Sequence, residues 1–172
     1  MTPVRLSVLI FAIVALAGCT SDGAPKTEPS FYRSLAQPDA QLDAETAASM
    51  ITGYRANNSL GAVTIDPELM RLAEAQAAAM AKRDKIERSA GKPFAAKLKA
   101  AGFDPKISAE NVGAGYHTLA EAFSGWRDSP PHRKTMLLAG ATRMGIAAVY
   151  APTSKYKVYW ALILAEPAEK KG

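Results

Sequence analysis

A single cysteine, Cys19, is the feature that most limits how this chain can fold. No disulfide can form in the chain that follows it, so the domain there must be held together by an apolar core rather than by cross-links. Hydrophobic residues make up 48% of the chain, and a domain of about 150 residues buries close to 70% of its unfolded surface. We therefore expect one domain with a conventional core, spanning residues 41–166.

The first 18 residues have the layout of a secretory leader. Arg5 precedes an apolar run from Leu6 to Ala17, and the residues after Cys19 are polar. The run is shorter than the roughly 20 apolar residues of a transmembrane helix, which favours a cleaved signal peptide. Small residues directly before Cys19 predict cleavage and lipidation there, although an ordinary leader with a coincidental cysteine is the alternative. A lipidated Cys19 would anchor the protein outside the cytoplasm to a bacterial cell membrane, inner or outer.

The net charge of +5 is distributed along the chain. No basic block with interleaved aromatic residues occurs, and an exported protein does not meet nucleic acid, so we expect no nucleic-acid partner. A weak attraction to anionic lipid headgroups is the simpler consequence of the positive charge.

The segment 19–40 is predicted to be a flexible tether, because Pro25, Pro29 and Pro38 interrupt a small, polar composition. Phe31 and Tyr32 are the two residues in it that could dock onto the domain. A charged tail is expected at residues 167–172.

Helices dominate the first half of the domain. Apolar residues at helical spacing predict one helix from Leu42 to Tyr54. Asp66 as the N-cap and Pro67 at the first helical position predict the start of a second helix. A third is expected from about Pro93 to Ala101.

The second half changes to mixed structure. Residues 109–116 are expected to be extended, Thr118 and Glu121 form a capping box for the next helix, and Ser129 is expected to cap a short one. Alternating apolar residues predict two strands, 143–150 and 155–164, joined as a hairpin. Helices followed by a terminal hairpin predict an α+β domain in which helices cover the sheet.

Four blocks occur in order at close spacing: AENVGAG, TLAEAFSGWRDSPPHRKTMLL, TRMGIAAVY and YKVYWALIL. Together with the upstream MITGYRANNSLGAVTIDPELMRLAEAQAAAMA, they resemble the CAP superfamily (SCP, or cysteine-rich secretory protein, antigen 5 and pathogenesis-related 1) in a short bacterial lipoprotein form. The resemblance implies an α-β-α sandwich, with a central antiparallel sheet between helical layers and a cleft on one face.

In that family two histidines and two glutamates line the cleft, and in some members they bind a divalent metal. By resemblance, Glu110 matches the first glutamate and His132 the second histidine. The other two positions differ, because the run around Arg88 lacks the first histidine and Pro130 stands where the second glutamate is usual.

A zinc site needs at least three protein ligands, and the matching residues supply two. Substitutes would have to come from the nearby polar residues His117, Asp128 and Glu87, while Arg88 would repel a cation and could pair with Glu110. We therefore expect no cofactor, neither zinc nor another divalent metal.

Position in the chain suggests a structural role for the matching pair. His132 lies near the start of a helix, where the dipole favours the neutral imidazole, so we expect a hydrogen-bonded contact between Glu110 and His132. Asn111 is expected to bond backbone and hold its segment in place.

Two functions follow as hypotheses. The first is a membrane-anchored, non-enzymatic module that binds a small amphiphile, such as a lipid or a sterol-like molecule, or an envelope protein through the cleft. The alternative is a metal-dependent hydrolase or peptidase of the cell envelope, with Glu110 as general base and His132 as ligand or acid. No nucleophile-elbow serine supports a covalent hydrolase, and lipidation would leave no free thiol.

Overall fold

A computed structural model describes residues 28–88 and 94–169 of the chain. In chain order the elements are a 3₁₀ turn (Ser30–Tyr32), α1 (Ala44–Ala56), β1 (Thr64–Ile65), α2 (Pro67–Arg83), α3 (Phe94–Ala100), β2 (Pro105–Ala114), α4 (Leu119–Asp128), α5 (Pro130–Met136), β3 (Arg143–Tyr150) and β4 (Val158–Pro167). The five helices and one sheet found within the described ranges confirm the predicted fold class.

The four strands form one sheet in the order β1-β3-β4-β2. β4 pairs antiparallel with β3 and with β2, while β1 pairs parallel with β3 over two residues. The predicted hairpin is therefore confirmed, although its second strand begins at Val158 and runs on to Pro167. The two-residue β1 was not predicted, because it is too short to show alternation.

Helices cover both faces of the sheet, as the predicted sandwich requires. On one face, Trp160 and Leu162 of β4 pack with Trp126 of α4 in one core cluster. On the other face, Ile163 packs in a second cluster with Leu69 of α2. No helix among the described residues combines the length and hydrophobicity needed to cross a bilayer.

Local sequence signals explain where the helices begin. Asp66 accepts hydrogen bonds from the amides of Glu68 (2.9 Å) and Leu69 (3.1 Å) at the start of α2, and the capping box of Thr118 and Glu121 opens α4. Both predictions are confirmed. Ser129 occupies the cap position of α5, but its side chain makes no capping bond; the two prolines that follow carry no amide N–H, so fewer donors need a cap.

Residues 29–40 differ from the predicted tether, because they lie against the domain. Leu35 is buried, and its amide donates to the His117 carbonyl at 2.7 Å. The Ser30 and Thr46 hydroxyls are 3.0 Å apart, and Phe31 packs on the core. Apolar contacts outweigh the prolines here, so residues 29–40 belong to the folded domain. Residues 1–27, with Cys19, and residues 170–172 lie outside the described residues.

Arg55 of α1 is buried in the core without a carboxylate beside it among the described residues; 1% of its surface is exposed. Its guanidinium donates to the carbonyls of Gly61 (2.9 Å), Met136 (3.0 Å), Leu138 (2.9 Å) and Ala141 (3.0 Å). Burial lowers the pKa of this guanidinium. Arg55 thus joins α1 to the segment between α5 and β3.

β3 lies close against α2 at Gly145. A Cβ atom at this position would collide with the backbone of Leu69 and Met70. The strand and the helix are therefore in direct contact where a side chain would keep them apart.

Candidate functional site

Asn111 of β2 fixes the position of α5. The side chain is fully buried, and its Nδ2 donates to the carbonyl oxygen of His132 at 2.9 Å. The Asn111 side chain therefore forms a hydrogen bond with the backbone, as expected. The backbone in question is that of α5, however, and not that of the segment around Asn111. The start of α5 is held against β2, which is an edge strand of the sheet.

A hollow of about 320 Å³, which we call the His132 hollow, opens beside β2. One part of its wall is apolar, and Ile86 at its border is 41% exposed. Its other part is polar, because Arg88 and His132 lie there. The full lining is Ile86, Arg88, Val112, Gly113, Ala114, Tyr116 and His132.

A second hollow of about 270 Å³, the Glu110 hollow, lies further along β2. Glu110 is buried, with 7% of its surface exposed. Arg88 lines this hollow as well as the first, so one guanidinium borders both. The lining residues are Arg88, Phe94, Ser108, Ala109, Glu110 and Thr135.

The expected Glu110–His132 hydrogen bond does not form. The two side chains line different hollows, and Nδ1 of His132 is buried without a partner in the described part of the chain. The bond from Asn111 to the His132 carbonyl holds the start of α5 against β2, and the imidazole lines the same hollow as Val112 and Gly113. Arg88, which departs from the family pattern, is the residue that borders both groups.

His132 has a lowered pKa. Burial is the larger cause, and the positive charge of Arg88 is the second. The imidazole is therefore neutral near neutral pH, as expected, although the helix dipole is not among the causes. A neutral ring offers one donor and one acceptor.

We expect Arg88→Gln to raise the pKa of His132, because the substitution removes a nearby positive charge. The pKa should stay below the usual value for histidine, since burial persists. A lowered histidine pKa means that stability is lost as pH falls from the unfolded-state pKa toward the folded one, so the variant should lose less stability on acidification. NMR titration of the imidazole protons measures the change. Arg133→Gln is the matched control, and an equal shift in both variants would contradict the assignment.

Three buried polar atoms at this end of the sheet lack hydrogen-bond partners within the described residues: Asn111 Oδ1, Trp126 Nε1 and His132 Nδ1. A methyl group added at Gly113 would lie 3.4 Å from Trp126 Nε1 and 3.2 Å from the Tyr116 ring, so the indole lies directly behind the wall of the His132 hollow. Because an unsatisfied buried polar group costs about 1–3 kcal/mol, these atoms mark a place where a polar partner would be stabilised.

The donors here do not fit a metal ion. Among the described residues no three histidine, cysteine or acidic side chains come close enough to hold one, and a site needs at least three. The three proposed substitutes do not line either hollow.

Two of the substitutes form ion pairs elsewhere, and the third, His117, lies on the surface before α4. Asp128 is exposed and pairs with Arg127 at 2.8 Å. Glu87 pairs with Lys85, and His117 is an exposed residue before α4 whose backbone bonds Leu35 and Glu121.

Sequence reasoning missed the apolar side of the site. Tyr116 lies over Gly125 of α4, where an added Cβ would collide with its ring, and its backbone carbonyl accepts a bond of 2.8 Å from Trp160 Nε1. Gly113 and Gly125 could have indicated this apolar side from the sequence, since each glycine lets the Tyr116 ring approach the backbone. The sequence gives no indication that Ile86 belongs to the site, because a single isoleucine in a charged stretch shows no periodicity.

Comparisons with known proteins agree with this architecture. A family model described as CAP, the cysteine-rich secretory protein family, matches residues 48–164. No curated protein matches the chain. An outer surface protein of Borrelia burgdorferi superposes with a TM-score of 0.65 at 16% identity, covering 73% of this chain and 93% of that one.

Two longer bacterial proteins show the same fold. A cysteine-rich secretory protein of Staphylococcus aureus gives a TM-score of 0.61 at 18% identity, covering 76% of this chain and 40% of that one. An extracellular SCP-domain protein of Bacillus anthracis gives 0.57 at 17% identity, covering 71% and 39%. This chain thus spans about two fifths of the length of these two proteins.

Proposed function

Because the chain belongs to the CAP family of cysteine-rich secretory proteins, we propose that it is an extracytoplasmic lipoprotein whose cleft binds a small amphiphile without catalysing a reaction. Proteins of the same fold are described as outer surface, extracellular or secretory, which supports a location outside the cytoplasm. An envelope protein is the other partner class that the cleft could accept.

The mixed character of the His132 hollow carries this proposal. Val112, Ala114 and the Tyr116 ring provide an apolar wall, while Arg88 and His132 provide polar groups at the other part. Ligand pockets combine an apolar lining with a few polar groups that orient the ligand, and this volume suits a small molecule. An amphiphile meets both requirements, since its chain would lie on the wall and its headgroup would reach the polar groups.

Ligand titration tests the proposal. The full chain with Cys19→Ser would be titrated with palmitate, a lysophospholipid and a sterol, each below its micelle concentration, by calorimetry and NMR. We expect saturable binding of at least one, with chemical-shift changes at Val112 and Tyr116. Arg88→Gln should weaken it, whereas Arg127→Gln, an exposed arginine on α4, should not. If none of the three binds saturably, the amphiphile is excluded.

The lipid anchor is a separate part of the proposal. It rests on the leader and on Cys19, which lie outside the described residues. Mass spectrometry of the N-terminal peptide from the membrane fraction should show acyl chains on Cys19, and Cys19→Ser should release the protein. An unmodified cysteine in a membrane-free protein would exclude the anchor.

We do not propose the metal-dependent hydrolase. Its mechanism would need Glu110 and His132 to act on one substrate at one ion, and the two side chains line different hollows. No observation of the site favours it.

A further inference from the structure

The sheet edge opposite the cleft is open along most of β3. β1 pairs only with Arg143 and Met144. The chain then turns into α2, and the amide of Asp66 donates to the Met144 carbonyl at 2.9 Å. Beyond Met144, no strand among the described residues covers this edge.

Backbone alternation shows which groups face the open edge. The carbonyls of Thr142 and Met144 point toward β1, and the pairing of β3 with β4 continues without a register shift. Every second residue therefore points the same way, which assigns Ile146, Ala148 and Tyr150 to the open side. The Ile146 amide confirms this direction, since it faces the sulfur of Met70 at 3.3 Å, a weak acceptor.

This edge forms the floor of a groove of about 530 Å³, which we call the β3 groove. α2 forms one wall with Met70, Arg71 and Glu74, and the segment before α1 forms the other wall. The complete lining is Ala40, Gln41, Leu42, Pro67, Met70, Arg71, Glu74, Ile146, Ala147, Ala148 and Val149.

The α2 wall carries a net negative charge. Arg71 is paired with Glu68 through two hydrogen bonds, so its charge is balanced. The carboxylate of Glu74 is exposed and has no ion pair among the described residues. A basic side chain in the groove would therefore find a partner there.

We propose that the β3 groove binds an extended peptide segment of a partner protein, which adds to the sheet beside β3 beyond the end of β1. The Ile146 amide already faces the Met70 sulfur, so the edge-facing groups that remain are the Ile146 carbonyl and the backbone groups of Ala148 and Tyr150. Only an extended backbone presents donors and acceptors at the spacing of these groups. Side chains on one side of the added strand contact Leu42 and Ala40, and a lysine or arginine on the other side pairs with Glu74.

A second copy of this chain fits the groove less well. The β3 edge is recessed between α2 and residues 40–42, so two such edges cannot meet until the walls of both grooves separate. A single extended strand enters without that displacement.

Hydrogen exchange of the full chain with Cys19→Ser provides the first measurement. In the free protein the Ala148 amide should exchange faster than those of Ala147 and Val149, which bond to β4. Nonapeptides selected from a random phage-displayed library should carry a basic residue and, when added as synthetic peptides, should slow exchange at Ala148 by roughly tenfold or more.

Matched variants identify the site. Glu74→Gln should weaken the selected peptides by about two- to fivefold, the effect of an exposed ion pair, while Glu45→Gln on α1 should not. Ala148→Pro removes an edge-facing donor, a substitution that edge strands tolerate, and should abolish binding with the β3–β4 amides still protected. In the bound peptide, alternate backbone amides face β3 and the others face away from it. N-methylation of the amides that face β3 should abolish binding, and N-methylation of the others should not.

Three results would overturn the proposal. The first is peptide binding that leaves exchange at Ala148 unchanged. The second is protection of Ala148 that rises with protein concentration alone, which would make the occupant a second copy. The third is a library that yields no peptide sensitive to Ala148→Pro.

Discussion

Replacing Arg55 with methionine should lower the free energy of unfolding by about 3–5 kcal/mol, the range expected when several bonds from a buried charged group are lost. The substitution leaves the carbonyls of Gly61, Met136 and Ala141 without the donor that each has in the structure. Methionine fills much of the volume but donates nothing. Urea denaturation measures the loss, and the midpoint of thermal unfolding should fall by roughly 10 °C.

Arg71→Met is the matched control for this prediction. Arg71 lies on the surface of α2, and 59% of its side chain is exposed, so an exposed ion pair is all that it loses. Its free energy of unfolding should stay close to that of the wild type, because exposed ion pairs contribute little to stability. If the two variants were almost equally stable, the hydrogen bonds of Arg55 in the folded protein would contribute little more than the bonds that its guanidinium makes to water in the unfolded chain. Arg55→Lys should also be destabilised, because an ammonium group cannot reach four carbonyls in the arrangement of a planar guanidinium.

Replacing Gly145 with alanine should destabilise the protein by about 3 kcal/mol or more, at the upper end of the overpacking range. The added methyl group would overlap the backbone of Leu69 and Met70. Backbone atoms cannot rotate away as a side chain can, so α2 must move from β3. The loss is read from denaturation curves, or from the soluble fraction on expression if the variant does not fold.

The same substitution at Gly53 should have the opposite sign. Gly53 lies in α1, and no heavy atom is within 4 Å of a Cβ added there. Alanine favours a helix over glycine by roughly 0.5–1 kcal/mol, so Gly53→Ala should raise stability. A Gly145→Ala variant as stable as wild type would mean that the two elements do not touch at this position.

Elements with a local signal were predictable from the sequence. Asp66 with Pro67, and Thr118 with Glu121, determine helix starts through bonds to neighbouring amides, so a few residues suffice. The hairpin of β3 and β4 follows from alternation. Residues 29–40 were mispredicted because their prolines argue against a helix but say nothing about docking, which depends on where Leu35 meets the distant His117 backbone.

The sequence could indicate which residues lie near the cleft, but not how their side chains are arranged. The resemblance identified Glu110, His132 and the unusual Arg88, and the structure places all three along β2. Glu110 and His132 line different hollows, and the bond from Asn111 that holds the start of α5 joins residues distant in the sequence, so no spacing in the sequence predicts this arrangement. Arg55 did carry a signal, since it falls on the apolar stripe of α1 with Ala48 and Ile51, where a charged residue needs partners.

Both tryptophans of the chain, Trp126 and Trp160, are buried in one core cluster with their ring centroids 6.2 Å apart. Their fluorescence therefore comes from a single apolar environment, and its shift to longer wavelength on unfolding would report on the α4 layer of the sandwich without an added dye. Since the Trp126 indole lies behind Gly113, the same emission would respond to a molecule entering from the β2 side, which gives this protein an intrinsic optical probe of its own cleft.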